Sequence, residues 1–171
     1  MKTPALLLLI SLLLNGLPNE DLNKEVTVNG RTFLYGKINR AGLQSNSYGK
    51  WFNTIYNSYQ PSADISSKVD KAKLKDIHFK VFLGTWCGDS KRNVPAFYKT
   101  LDQLAIPDSK VEAWALDLRK KGPNQEEQQY KIYRVPTIIV YRAGRELGRF
   151  IERPKPGQRL DEILVELINK D

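Results

Sequence analysis

The sequence contains one cysteine, Cys87, and its position points directly to chemistry. The preceding apolar run, Phe79 to Leu83, predicts a short buried strand. The apolar residues that follow recur at the spacing of one helix face: Val94, Phe97, Tyr98, Leu101, Leu104 and Ala105. Cys87 therefore stands at a strand-to-helix turn. There the unpaired backbone N–H groups and the helix dipole favour a thiolate, which is the nucleophilic form of the side chain.

Three charged neighbours are expected to tune the ionisation of this thiol. Lys91 and Arg92 lie in the first turns of the predicted helix and favour the thiolate, whereas the adjacent Asp89 opposes it. We expect the helix start and the two cations to prevail. Asp89 can turn towards solvent, where its repulsion is screened.

Two separated blocks of the sequence resemble the thioredoxin family. Trp86-Cys87-Gly88 at a helix start is similar to the family's active-site turn, and Lys91 and Pro95 match its basic residue and its helix-kinking proline. The second block, Tyr130 to Thr137, resembles the segment around the family's cis-proline. The resemblance covers about residues 77 to 169.

The resemblance implies an α/β fold, namely a thioredoxin-like mixed sheet flanked by helices on both faces, over residues 77–171. It implies catalytic roles for Cys87 and Ser90. It also implies substrate contacts by six residues: Trp86, Gly88, Asp89, Val135, Pro136 and Thr137. We expect the Val135–Pro136 bond to be cis and to lie against the Cys87 turn. The implied partners are a protein or small-thiol disulfide and an external reductant.

Two departures from the family pattern bear on redox chemistry. The second cysteine of the family's Cys-x-x-Cys pair is Ser90 here, and its buried acid six residues before the nucleophile is Val81. A dithiol enzyme uses the second thiol to release its substrate. We therefore expect a monothiol oxidoreductase in which Ser90 hydrogen-bonds the thiolate and an external thiol completes the exchange. The alternative is a non-catalytic binding scaffold with the same fold.

The N-terminus predicts a secretory leader over residues 1–19. Lys2 is followed by an apolar run, Ala5 to Leu14, and then by the helix breakers Gly16 and Pro18. The run is too short to span a bilayer and is typical of a signal peptide. We therefore expect an exported bacterial protein in the periplasm, without stable membrane insertion once the leader is removed. An uncleaved anchor is the alternative, because no cleavage site is clearly marked.

Charge and motif content argue against several other functions. The net charge is +8, but the basic residues are scattered among acidic ones, so we expect no nucleic-acid partner. The sequence shows no metal-ligand cluster and no nucleotide-binding glycine motif, so we expect no metal and no cofactor.

Residues 20–76 form an N-terminal extension that the minimal family fold does not require. Asn29-Gly30 predicts a hairpin, and the residues from Trp51 to Tyr59 predict a helix with an aromatic face. That face is interpreted as packing, with a ligand platform as the alternative. Ser66 to Lys75 predicts a second, polar helix. His78 is expected to be structural, since it precedes Cys87 by a full strand length.

Overall fold

The computed structural model describes residues 22–171 of the chain. The predicted leader, residues 1–19, lies outside this range. Within residues 22–171, no helix is long and apolar enough to cross a membrane.

Seven strands and six α-helices follow one another along the described chain. The strands are β1 (Glu25–Val28), β2 (Arg31–Leu34), β3 (Gly36–Ile38), β4 (Ile77–Leu83), β5 (Val111–Ala115), β6 (Thr137–Arg142) and β7 (Arg145–Ile151). The helices are α1 (Arg40–Gln44), α2 (Asn46–Ser58), α3 (Ile65–Lys68), α4 (Gly88–Gln103), α5 (Glu126–Gln129) and α6 (Leu160–Asn169).

The main sheet is mixed and has the strand order β3-β5-β4-β6-β7. The central strand β4 runs parallel to β5 and antiparallel to β6. Its Phe79, Val81 and Leu83 belong to the larger core, which includes residues of α2, α4 and α6. Phe82 points to the other face, into a smaller core with Trp114 and Ile132. Because both faces of β4 are covered, the strand reads as a nearly continuous apolar run. The thioredoxin-like fold prediction is confirmed.

The predicted hairpin is present, but it forms a separate two-stranded sheet of β1 and β2. The main sheet gains its fifth strand from β3, which sequence patterning did not predict. Its three residues are too few to show an alternation of apolar and polar side chains, so β3 is defined only by its pairing with β5.

Two helix predictions were wrong in extent. The segment from Ser66 to Lys75 is not one helix, because Val69 is extended and the side chain of Asp70 caps a new 3-10 turn at Lys71–Leu74. Pro123, followed by Glu126 and Glu127, predicts a helix that opens at the proline. Helix α5 begins only at Glu126, since Gln125 adopts a left-handed backbone with φ of 60°.

The aromatic face of α2 packs against the domain, as the packing interpretation predicted. Phe52 is fully buried, and its ring lies 5.9 Å from that of Tyr98 on α4. The hydroxyl of Tyr59 donates to the buried Asp161 of α6. At the other end of this region, the Leu34 N–H donates to the Thr85 hydroxyl, two residues before Cys87. Residues 22–76 therefore contact both the core helices and the turn that carries the thiol.

His78 is placed as the structural interpretation predicted. It lies near the start of β4, and its ring stacks on Tyr141 with the ring centres 5.0 Å apart. Cys87 follows the opposite end of the same strand.

Candidate functional site

The half-buried Cys87 is the residue that caps the N-terminus of α4. Its N–H donates to the Gly84 carbonyl, and its own carbonyl accepts from the Lys91 N–H. The turn requires glycine at position 84, because a Cβ there would lie 2.6 Å from the Trp86 ring. The expected strand-to-helix turn is therefore present, with the sulfur at the helix start.

Trp86 is held over the smaller core beside the thiol. Its indole N–H donates to the Leu116 carbonyl at 3.0 Å, and its ring packs against the smaller core. Leu116 directly follows β5. This bond ties the Cys87 turn to the neighbouring strand, so the position of Trp86 is set by the sheet.

The second block lies against this turn. The Val135–Pro136 bond is cis, and the Cys87 thiol donates to the Val135 carbonyl with Sγ and oxygen 3.3 Å apart. Thr137 opens β6 and donates its hydroxyl to the Arg134 carbonyl. Both parts of the expectation for Pro136, its cis bond and its position beside Cys87, are confirmed.

The Ser90 hydroxyl is engaged within the turn by the backbone. Ser90 is fully buried, and its hydroxyl accepts from the Gly84 N–H at 3.2 Å. Among residues 22–171, the hydrogen-bond partner of Cys87 Sγ is Val135 rather than Ser90. The hydroxyl stabilises the turn, and contact between Ser90 and a thiolate stays a prediction.

Two charged residues of the first turns of α4 pair with each other. Asp89 forms an ion pair with Arg92 at 3.4 Å, in which Arg92 is well exposed and Asp89 is mostly buried. Arg92 therefore neutralises part of the carboxylate that opposes the thiolate.

Gly88 has open space around its Cα, which leaves the approach to the helix start free. Val81, at the position of the family's buried acid, is completely buried.

Three site residues were not found by sequence reasoning: Asn93, Arg134 and Glu152. Asn93 donates to the backbone carbonyls of Asp89 and Glu152, both at 3.0 Å. The Glu152 N–H donates to the Pro136 carbonyl at 2.7 Å, and its carboxylate pairs with Arg134 at 2.6 Å. These bonds join the start of α4, the proline loop (residues 131–136) and the segment after β7. The one available sequence signal was a polar Asn93 among the apolar positions of α4.

The described residues contain no group of three or more metal-ligating side chains. The site presents one thiol at a helix start, facing a backbone carbonyl beside a cis-proline.

Comparison with solved structures finds two thioredoxins and a protein named Trxlp among the similar folds. Thioredoxin Deadhead of Drosophila melanogaster is 20% identical with a TM-score of 0.39, and the match covers 57% of this chain and 83% of that one. Thioredoxin O2 of Arabidopsis thaliana, in its oxidised state, is 17% identical with a TM-score of 0.41, covering 62% and 85%. Trxlp of Edwardsiella tarda is 19% identical with a TM-score of 0.41, covering 66% and 100%.

Comparison with curated proteins gives no match. A family model described as thioredoxin matches residues 43–164, which includes α2, the Cys87 turn and the proline loop. This match spans most of the sequence, and the chain belongs to the thioredoxin family.

Proposed function

We propose that this protein is an exported monothiol oxidoreductase that exchanges thiols and disulfides through Cys87. The observation that carries the proposal is the position of Sγ, at the start of α4 and 3.3 Å from the Val135 carbonyl beside the cis-proline. A thiol in this position is accessible, and the helix start stabilises its charged form.

The electrons for the exchange come from one kind of external thiol, of which two molecules are consumed in each cycle. The Cys87 thiolate attacks one sulfur of a substrate disulfide, forms a mixed disulfide and releases the other substrate sulfur as a thiolate. One external thiolate then displaces the substrate from Cys87, and a second regenerates the Cys87 thiolate. The substrate disulfide is reduced to two thiols, and two external thiols are oxidised to one disulfide.

The residues around Cys87 would position the substrate chain. Ionisation of Cys87 removes the S–H donor, which leaves the Val135 carbonyl free to accept from a substrate N–H. Trp86 and Thr137 flank this backbone edge, and Gly88 and Asp89 lie at the helix start. These contacts follow the family's mode of binding and are part of the proposal.

A binding scaffold without catalysis is the second candidate. It is favoured by one observation, that Ser90 replaces the resolving thiol and its hydroxyl serves the Gly84 N–H within the turn. In this case Cys87 would have no more reactivity than an ordinary thiol.

Alkylation distinguishes the two functions. We expect iodoacetamide at neutral pH to modify Cys87 about fivefold faster than the cysteine of an unstructured peptide with the sequence of residues 84–92, because the helix start favours the thiolate. Asp89→Asn should raise the rate and Lys91→Ala should lower it. A rate at or below that of the peptide would make the scaffold the better account.

Export is proposed from the apolar leader and is tested by the N-terminus of the mature protein. When the full chain is expressed in a Gram-negative host, we expect periplasmic protein that begins between about residues 15 and 21. An intact N-terminus on cytoplasmic protein would contradict the proposal. An intact N-terminus on membrane-bound protein would favour the uncleaved anchor.

A further inference from the structure

A surface groove of about 320 Å³ adjoins the proline loop. One wall is the loop segment with Lys131, Tyr133 and Arg134, and the other includes Ile151 at the end of β7. Arg134 directly precedes Val135, whose carbonyl holds the Cys87 sulfur. A chain bound at Cys87 can therefore continue into this groove.

The groove concentrates exposed apolar surface. Tyr133 is 79% exposed and Ile151 is 46% exposed. Within residues 22–171, the other exposed large hydrophobic residues are Leu22 and Val28, both near the N-terminal hairpin. Large side chains left in water beside a reactive thiol indicate a surface that a partner covers.

The groove lining carries three cations, Lys131, Arg134 and Arg149, and one carboxylate, Glu152, which pairs with Arg134. No hydrogen bond or ion pair in the described part of the chain involves the Lys131 ammonium, and Arg134 stays 65% exposed despite its pairing with Glu152. Arg149, in contrast, is held by Glu146 and by the Tyr130 carbonyl. Lys131 and Arg134 are therefore the groove cations best placed to meet a ligand.

The whole end of the molecule around Cys87 shares this charge. Four segments meet there, because Leu83 pairs with Ala115, Phe82 with Thr137, and Thr137 with Ile151. The four segments are residues 84–92, 117–127, 131–136 and 152–158. Together they carry nine lysine and arginine residues and five acidic residues.

Basic residues exceed acidic ones by four at this end, although Glu127 is paired with Lys121 and Glu152 with Arg134. Glu126 and Glu127 are buried, and Asp117 accepts from the N–H groups of Arg119 and Lys121. The potential that an approaching molecule meets at this end is therefore positive.

We propose that the groove binds acidic polypeptide segments that carry an apolar residue close to the disulfide cysteine. This inference rests on the proposed exchange function and names its substrate class. The apolar residue packs between Tyr133 and Ile151, and the carboxylates pair with Lys131 and Arg134. A nucleic acid matches the charge but carries no disulfide for Cys87 to attack.

The test uses two short peptides that differ only in charge. Each has one cysteine next to leucine, blocked as a mixed disulfide with thionitrobenzoate, and flanked by glutamates in one peptide and lysines in the other. Cys87 attacks the peptide sulfur, the disulfide breaks, and the coloured thionitrobenzoate anion leaves. We expect the acidic peptide to react about tenfold faster at low salt, with the difference shrinking at high salt.

Charge-reversed variants locate the effect. Lys131→Glu with Arg134→Glu should abolish or reverse the preference. The matched control, Lys75→Glu with Arg145→Glu, makes the same change in net charge at the opposite end of the sheet and should keep it. Iodoacetamide, which is neutral and small, measures the reactivity of Cys87 itself in each variant, and each peptide rate is divided by it, because Arg134→Glu also removes the ion pair with Glu152.

The outcomes separate the two proposals. Equal rates for both peptides would overturn the acidic preference and leave the exchange function standing. If neither peptide reacts while iodoacetamide does, the exchange function itself fails, and the substrate class fails with it. A preference that survives the Lys131 and Arg134 reversals would place recognition outside this groove. An oligonucleotide that competes better than a cysteine-free acidic peptide would show a general polyanion site and overturn the assignment.

Discussion

Replacing Ser90 with cysteine is expected to raise turnover in insulin disulfide reduction by about 100-fold, because resolution of the mixed disulfide becomes intramolecular. Position 90 lies one helical turn after Cys87 in the first residues of α4, on the same side of the helix. The unmodified protein should show little turnover, since its mixed disulfide waits for an external thiol. The measurement is insulin precipitation with a dithiol as the terminal reductant.

Two variants control this experiment. Ser90→Ala removes the hydroxyl without adding a thiol and should leave turnover low, whereas Ser90→Cys combined with Cys87→Ala should be inactive. Loss of the hydroxyl also leaves the Gly84 N–H without its acceptor, at a cost of about 1 kcal/mol, so unfolding should be measured in parallel. Turnover of the unmodified protein at the level of a dithiol thioredoxin would contradict the monothiol mechanism.

Replacing Asp161 with alanine is expected to lower the free energy of unfolding by about 3 kcal/mol. Its side chain is completely buried and accepts from the Tyr59 hydroxyl and the Ser62 N–H, both at 2.7 Å. It also pairs with Arg159 at 3.1 Å. Alanine would leave these donors without an acceptor and would release α2 from α6. Urea denaturation gives the measurement.

The same carboxylate makes stability depend on pH. Burial opposes ionisation of Asp161, but the hydrogen bonds from Ser62 and Tyr59 and the charge of Arg159 outweigh it, so its pKa is lowered in the folded state. A group with a lowered folded pKa stabilises above its unfolded pKa, about 3.9, and loses that contribution as pH falls through the folded value.

Two variants isolate the contribution of Asp161. The variant Asp161→Asn should therefore lose less stability than the parent between neutral pH and pH about 3, and an equal loss would contradict the assignment. Asp64→Asn makes the same charge change in an exposed pair with Lys68 and should leave the neutral-pH midpoint unchanged.

The elements that local sequence could predict are those whose signals lie within a few residues of one another. The strand before Cys87 is a continuous apolar run, the helix after it has a clear apolar face, and Asn29-Gly30 encodes a tight turn. The resemblance to the thioredoxin family identified the segment around the cis-proline, Tyr130 to Thr137. The thiol and the proline loop were therefore identified from the sequence as one site, and in the structure they are hydrogen-bonded to each other.

Prediction from local sequence patterns failed where short-range hydrogen bonds or strand pairing set the backbone conformation. The polar residues of the segment 66–75 were compatible with a helix, yet the side-chain cap of Asp70 divides it into two turns. Strand β3 has too few residues to show a periodic pattern. It is a strand only because its backbone pairs with that of β5.

The sequence by itself determined one thiol at a strand-to-helix turn, because apolar periodicity and turn residues act locally, and its resemblance to the thioredoxin family implied the fold. Only the tertiary structure decided that the Ser90 hydroxyl accepts from the Gly84 N–H and that Glu152 binds both Arg134 and the Pro136 carbonyl. It also decided that a groove with basic residues lies beside the proline loop. The bonds of Glu152 join residues from different elements, up to 59 positions apart in its bond with Asn93. Their partners are selected by the packing of the sheet and its helices, which no short window of sequence encodes.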